Sequence, residues 1–258
     1  MLRKANDLFE YAPHAEDGII GKIEDFYFDD ETWTVRYLVL RAGSWLTGRM
    51  VLISPVSILG VDPVRKIISL RLTRNQVENA PPVDTHQPVS RRYEAEYFSY
   101  YKWPRYWGHV GRWGSWPAPS ILAIPGIEWT EPPEKKPEET HLHSVNEVKS
   151  YSFHALDGNI GGVEDFIIDD VSWAVRYLEV DTVNWLPGKY VLLSPHWIRE
   201  IHWNDKKVRI DLEKSAIEHA PPYNPRLPIS KEYEDMLFRY YRREKDREAV
   251  YLKQKAAK

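Results

Sequence analysis

Four pairs of acidic residues, two histidines and two arginines are the side chains of this sequence best placed for chemistry. Glu24-Asp25 recurs as Glu164-Asp165 and Asp29-Asp30 as Asp169-Asp170, at a constant offset of 140 residues. His14 and His154 obey the same offset, as do Arg36 and Arg176. Carboxylate pairs can supply the oxygen ligands of a hard cation such as calcium, but this spacing is not that of an EF-hand loop. Neighbours on a strand face opposite sides, so Glu24-Asp25 and Glu164-Asp165 cannot work jointly as an acid–base pair. Turn formation and surface charge are the expected roles of the acids. An ion- or proton-responsive role for His14, Asp29, Asp30, His154, Asp169 and Asp170 is the sharper alternative, because histidine titrates near neutrality. Arg36 and Arg176 are expected in exposed cross-strand ion pairs, each worth under about 1 kcal/mol. His141 and His143 beside Glu138 and Glu139 have metal-like spacing without an evident second shell. No nucleophile elbow, phosphate loop, zinc spacing or dinucleotide fingerprint is present. The expectation is a protein that is not an enzyme, with no cofactor and no metal.

These residues need a scaffold, and the surrounding pattern predicts one. Residues 8–14 read as a strand. Asp17-Gly18 is a hairpin signal, because Gly accepts the positive φ of a two-residue turn. Residues 19–28 form the next strand, with Ile23, Phe26 and Phe28 toward the core. Asp29-Asp30-Glu31 turns the chain through side-chain bonds to nearby N–H groups. Residues 33–40 and 50–53 follow as strands, with Gly43 and Gly48 bracketing a loop that carries Trp45 and Leu46. Ser54-Pro55 breaks the run. Residues 56–61 and 66–72 read as a last hairpin turned at Asp62-Pro63. Short strands at this spacing, with no long helix among them, predict a small antiparallel barrel or sandwich. Thr73 and Gln76 then form a capping box for a short helix, Pro81-Pro82 stops it, and Tyr93, Tyr97, Tyr100 and Tyr101 share one face of a second helix.

The plan recurs through Trp173, Tyr177-Leu178, Trp185, Gly188, Ser194-Pro195, Ala220-Pro221-Pro222, Tyr233-Glu234 and Tyr240-Tyr241. Gly43 becomes Val183 and Pro63 becomes Trp203, so loop shapes should differ there. The predicted organisation is a first domain over residues 1–102, an aromatic- and Pro-rich linker over 103–143, a second domain over 144–242 and a charged helical tail over 243–258. Residues 103–129 concentrate Trp103, Tyr106, Trp107, Trp113, Trp116 and Trp129. Such rings can fold back and cover the first domain, burying much area each. Alternatively, Trp103, Tyr106, Trp107, Trp113 and Trp116 form a partner-binding surface, since Trp and Tyr are enriched at hot spots. A third reading seats them at a membrane interface, for which Arg105 and Arg112 supply little electrostatic attraction. Residues 131–139 are Glu-, Lys- and Pro-rich and read as extended chain.

The chain's 258 residues suffice for two domains of roughly 100 residues each. A formal net charge of −3 argues against a general nucleic-acid binder. Cysteine is absent, which excludes disulfides and thiolate chemistry. No apolar run approaches the ~18–20 residues of a membrane span, and the first residues lack the apolar core of a signal peptide. A cytoplasmic location, with peripheral contact to a membrane, is the expectation.

The runs Asp17-Gly18…Gly21…Glu24-Asp25-Phe26…Asp29-Asp30…Trp33…Arg36-Tyr37-Leu38 and Trp45-Leu46…Gly48-Arg49…Leu52-Ile53-Ser54-Pro55 resemble the PRC-barrel domain. Glu78-Asn79-Ala80-Pro81-Pro82 and Tyr100-Tyr101-Lys102-Trp103-Pro104 match what often follows the barrel in bacterial members. The resemblance extends over residues 5–102 and again over 145–242. The family is named for the cytoplasmic part of the photosynthetic reaction-centre H subunit, and a related barrel forms the C-terminal part of a ribosome maturation factor. The resemblance implies a mainly β chain of two tandem small antiparallel β-barrels, each followed by short C-terminal helices. It also implies a non-catalytic docking or scaffolding role, with a protein partner such as a membrane-bound complex of photosynthesis or electron transport, and self-association through the barrels. The H subunit's membrane helix has no counterpart here, and none of its proton-pathway residues is transferred. A ribosome- or RNA-associated adaptor and an ion- or pH-responsive sensor are the alternative readings.

Overall fold

The computed structural model describes residues 1–46, 48–83, 89–108, 111–126, 142–182 and 188–242. The Trp45 side chain, Trp129, residues 131–139, His141, Trp185 and the charged run 243–258 lie outside the described residues. The order of elements is β1 (Leu2–Lys4), α1 (Ala5–Leu8), β2 (Ala12–Ala15), β3 (Gly18–Ile19), β4 (Gly21–Asp29), β5 (Thr34–Ala42), β6 (Met50–Ile53), β7 (Ile58–Asp62), β8 (Ile67–Leu70), α2 (Arg74–Glu78), α3 (Arg91–Tyr100), β9 (Leu142–Ser144) and α4 (Val145–Val148). Then come β10 (Ser152–Ala155), β11 (Gly158–Asp169), β12 (Val175–Asp181), β13 (Tyr190–Leu193), β14 (Ile198–His202), β15 (Lys207–Ile210) and α5 (Lys214–Glu218). A last helix, α6, covers residues 231–242. The described chain is therefore mainly β.

It divides into two compact units. Beyond the first two residues, one unit holds Arg3–Asn146 and Ile168–Val175, and the other holds Glu147–Ile167 and Arg176–Lys258. The described part of the aromatic stretch, residues 103–108 and 111–126, belongs to the first unit.

The first unit contains two four-stranded sheets, ordered β3-β2-β8-β7 and β6-β5-β4-β9. Gly18 sits at φ +134° in the turn that pairs Ala15 with Gly18 and His14 with Ile19, the geometry only glycine adopts cheaply. Three residues on, Gly21 packs against β5 so closely that a Cβ would lie 2.0 Å from the Arg41 carbonyl oxygen. β4 and β5 pair antiparallel, and Ile23, Phe26 and Phe28 are buried as predicted. Asp62 Oδ1 accepts the N–H groups of Val64 and Arg65 at 2.9 and 3.0 Å, which makes the β7–β8 turn. The Thr73–Gln76 capping box opens α2, as expected. Ser90 caps α3, whose Tyr97 is fully buried and donates to the Leu52 carbonyl at 3.1 Å.

Two expectations are corrected. The strand expected over residues 8–14 is a turn of helix, Ala5–Leu8, followed by the short β2. Ala5 and Leu8 are fully buried, a helical spacing that takes both to the core. The ladders are also not all antiparallel: β2 runs parallel to β8, with Ala12 opposite Ile67 and His14 opposite Ser69. Turn residues report hairpins between sequence neighbours, and this pairing joins strands far apart in the chain.

The second unit repeats the order in one sheet path, β13-β12-β11-β10-β15-β14. β10 again runs parallel to β15, with Ser152 opposite Lys207. Gly158 and Gly161 have φ of +139° and +144°, and a Cβ on Gly161 would lie 1.8 Å from the Asp181 carbonyl oxygen.

Candidate functional site

Asp29 ends β4 and Arg36 lies on β5, and the two meet in the first unit. The Asp29 Oδ1 accepts the N–H groups of Glu31 and Thr32 at 3.0 and 2.9 Å, which fixes the turn. Its Oδ2 accepts from Arg36 Nη2 at 3.2 Å, and the same Nη2 donates to Thr32 Oγ1 at 2.9 Å. Arg36 Nη1 donates to the Arg112 carbonyl. The expected exposed ion pair is in fact buried: Arg36 is 2 % and Asp29 5 % accessible. A buried pair carries a large desolvation cost, so removing one partner strands a charge.

What buries it is the aromatic stretch. The Arg36 guanidinium carbon lies 3.8 Å from the Tyr106 ring centroid and 4.7 Å from that of Trp113, a cation–π contact with two adjacent rings. The Trp113 indole donates to the Ser172 carbonyl at 2.7 Å. The Tyr106 hydroxyl donates to Glu94 on α3 at 2.5 Å, Tyr37 donates to the same oxygen at 3.2 Å, and Arg91 reaches the other oxygen at 2.7 Å. Glu94 is fully buried. Burial pushes its carboxyl above the ordinary value, against the opposing pull of Arg91, Tyr106, Arg36 and Tyr37. Burial likewise holds the Tyr37 and Tyr106 hydroxyls protonated well beyond the usual tyrosine range.

Of the five aromatic residues singled out as a partner surface, Tyr106 and Trp113 are interior. Trp103, Trp107 and Trp116 keep intermediate exposure. Trp103 stacks on Tyr101 with centroids 4.6 Å apart, and Trp107 meets Phe98 edge-on at 5.4 Å. Sequence reasoning does not single out Glu94 or Arg91, and it names Tyr37 only within the run that carries the family resemblance. The signal was present, since Glu94 and Tyr37 recur as Glu234 and Tyr177 at the same offset of 140.

The residues proposed as ion- or proton-responsive are not gathered into one site. His14 lies on β2, in a different sheet from Asp29, with Nδ1 2.9 Å from the Ala15 carbonyl oxygen. Asp30 pairs with His143 at 3.5 Å, and Asp170 pairs with Arg3 at 2.6 Å. Asp169 Oδ1 accepts from Val171 and Ser172 at 2.9 and 2.8 Å, repeating the Asp29 turn. Burial opposes ionisation of Asp169, yet these backbone N–H groups hold its carboxyl below the ordinary value. Asp25 accepts from the Phe26 N–H at 2.7 Å, the Ser144 hydroxyl at 2.5 Å and the Asn146 N–H at 3.2 Å. His154 Nε2 lies 3.0 Å from Ser152 Oγ. Burial, then Lys207, Arg209 and Lys214, hold the His154 imidazole below its ordinary pKa. Among the described residues no three His, Cys, Asp or Glu side chains are grouped as a metal site.

Residues 14–76 match the PRC-barrel domain. The match begins on β2 and ends at the capping-box glutamine of α2, so it contains Asp29 and Arg36. Glu94, Tyr106 and Trp113 lie beyond the matched segment. No curated protein sequence matches the chain.

The second unit carries a partial copy of the same cluster. Tyr177 donates to Glu234 at 3.1 Å, and Arg176 Nη2 reaches the same oxygen at 3.4 Å. Here the arginine is open, with its side chain 48 % accessible. Among the described residues no helix is long and apolar enough to cross a membrane.

Proposed function

We propose that this chain is a non-catalytic docking module made of two tandem PRC-type barrels, and that it seats on a protein complex at a membrane, with an electron-transport assembly as the candidate class. The observation that carries the reading is the PRC-barrel match over residues 14–76, a module that often mediates protein interactions. Three further features support it. The strand order β10 to β15 repeats that of β2 to β8, including the parallel ladder. Asp29 and Asp169 accept backbone N–H groups and hold turns, and Asp25, within β4, accepts the Phe26 N–H and the Ser144 hydroxyl. Trp103, Trp107 and Trp116 offer partly exposed rings to a partner.

The test is purification of a tagged chain from mildly cross-linked source cells, with membranes and the remaining fraction handled separately. Recovery in fixed stoichiometry with subunits of one membrane complex is the expected result. Recovery with ribosomal subunits, or alone from both fractions, would overturn the reading.

A further inference from the structure

The two copies of the cluster differ in one respect. In the first unit Arg36, Glu94 and Phe98 are covered, at 2 %, 0 % and 1 % accessibility. Their counterparts in the second unit are Arg176, Glu234 and Phe238, each displaced by 140 positions. The Arg176 side chain is 48 % and that of Glu234 22 % accessible, while Phe238 as a whole is 56 % exposed. Glu234 and Phe238 are four residues apart on α6, hence on one face, and Arg176 bonds Glu234. The three therefore form one continuous surface.

The first unit shows what such a surface accepts. Phe98 is met by Trp103, Tyr106 and Trp107 at 6.0, 5.5 and 5.4 Å between centroids. Arg36 lies against the Tyr106 and Trp113 rings, and its guanidinium donates to a main-chain carbonyl. The Tyr106 hydroxyl completes the arrangement on Glu94. A large exposed aromatic ring near a half-open guanidinium is a surface that gains by being covered.

We infer that the Arg176–Glu234–Phe238 face of the second unit is a docking site for a partner protein's extended segment bearing tryptophan and tyrosine, chemically like residues 103–116 of this chain. The inference rests on the docking reading above and specifies its surface. A second copy of the chain does not fit as the occupant, because the Tyr106 and Trp113 it would offer are 2 % and 0 % accessible within its own first unit. The chain's own residues 243–258 contain no tryptophan. The occupant is then a segment from another protein, with one ring to stack on Arg176, a second to meet Phe238 edge-on, and a phenol to donate to Glu234.

The probe is a fluorescein-labelled synthetic peptide with the sequence of residues 102–117, titrated with the full chain and followed by anisotropy. Saturable binding is expected. Phe238→Ala and Arg176→Ala should each weaken it at least about tenfold. Leu59→Ala, at an exposed position of the first unit, should leave it unchanged. A peptide with phenylalanine at the Tyr106 position should bind several-fold more weakly, through loss of the phenol–carboxylate bond. Absence of saturation up to about 1 mM, or binding indifferent to both variants, overturns the inference. A concentration-dependent dimer that Phe238→Ala dissolves in sedimentation overturns it in favour of a second copy. Binding seen only after truncation beyond Arg242 overturns it in favour of the chain's own C-terminal residues. Membrane-complex recovery that survives Phe238→Ala and Arg176→Ala removes this surface while leaving the docking reading intact.

Discussion

The Arg36 guanidinium carbon stands 3.8 Å from the centroid of the Tyr106 ring. A β-strand cation is thereby sealed by a ring from a stretch that lies beyond the matched PRC-barrel segment. The same ring's hydroxyl ties to Glu94 on α3, so strand, helix and aromatic stretch share one buried polar cluster. Such clusters are costly to disturb in part, because each remaining member loses a partner in a low-dielectric interior.

Arg36→Ala should destabilise the first unit by about 3–5 kcal/mol, because it leaves buried Asp29 without its cation. Arg176→Ala, at the equivalent but open position, should cost less than about 1 kcal/mol. Urea unfolding of both variants beside the parent chain measures the contrast. Equal losses would contradict the burial asymmetry.

Trp113→Ala should cost about 3–5 kcal/mol, the range for truncating a core aromatic side chain. Trp116, at intermediate exposure, should tolerate the same change with a much smaller loss. Thermal melting of the two variants reads the difference directly.

Glu94→Gln tests the buried carboxyl through pH. The folded-state pKa lies above the ordinary 4.5, so the folded chain binds more protons than the unfolded one in the window starting there. Stability contributed by this group therefore falls as pH rises from about 4.5 through the raised value. The amide lacks this dependence. Its stability relative to the parent should shift in the variant's favour between about pH 4 and about pH 7. A difference flat across that range would count against the assignment.

His154 works in the opposite sense. Its folded pKa lies below 6.5, chiefly through burial and then through Lys207, Arg209 and Lys214. The stability linked to the neutral ring is complete above about pH 6.5 and is lost as pH falls toward the depressed value. In His154→Asn the melting temperature should drop less than in the parent as pH is lowered through this window.

Gly161→Ala should be strongly destabilising, by well over 1 kcal/mol, since it combines φ +144° with a Cβ 1.8 Å from the Asp181 carbonyl oxygen. Gly60→Ala, where a Cβ meets nothing within 4 Å, should cost under about 1 kcal/mol. Hydrogen exchange of the β11 and β12 amides, compared between the two variants, would localise the damage to the second unit in Gly161→Ala alone.

Local features are legible in the residues themselves. Asp17-Gly18, Asp29-Asp30 and Asp62-Pro63 specify turns through backbone and side-chain bonds within a few residues, and those turns are present. The capping box at Thr73 and the buried faces of Ile23, Phe26 and Phe28 follow from spacing alone. The constant offset of 140 exposed the repeat for the same reason, because each copy must solve the same turns. Tertiary structure decided what depends on partners distant in the chain. The parallel pairing of β2 with β8 leaves no turn signature. The burial of Arg36 depends on rings about seventy residues away, whose placement no helical or strand period encodes. One arginine of the repeated pair becomes interior and the other stays open because desolvating a guanidinium requires aromatic faces and a carboxylate delivered together, and only the first unit's described residues bring both.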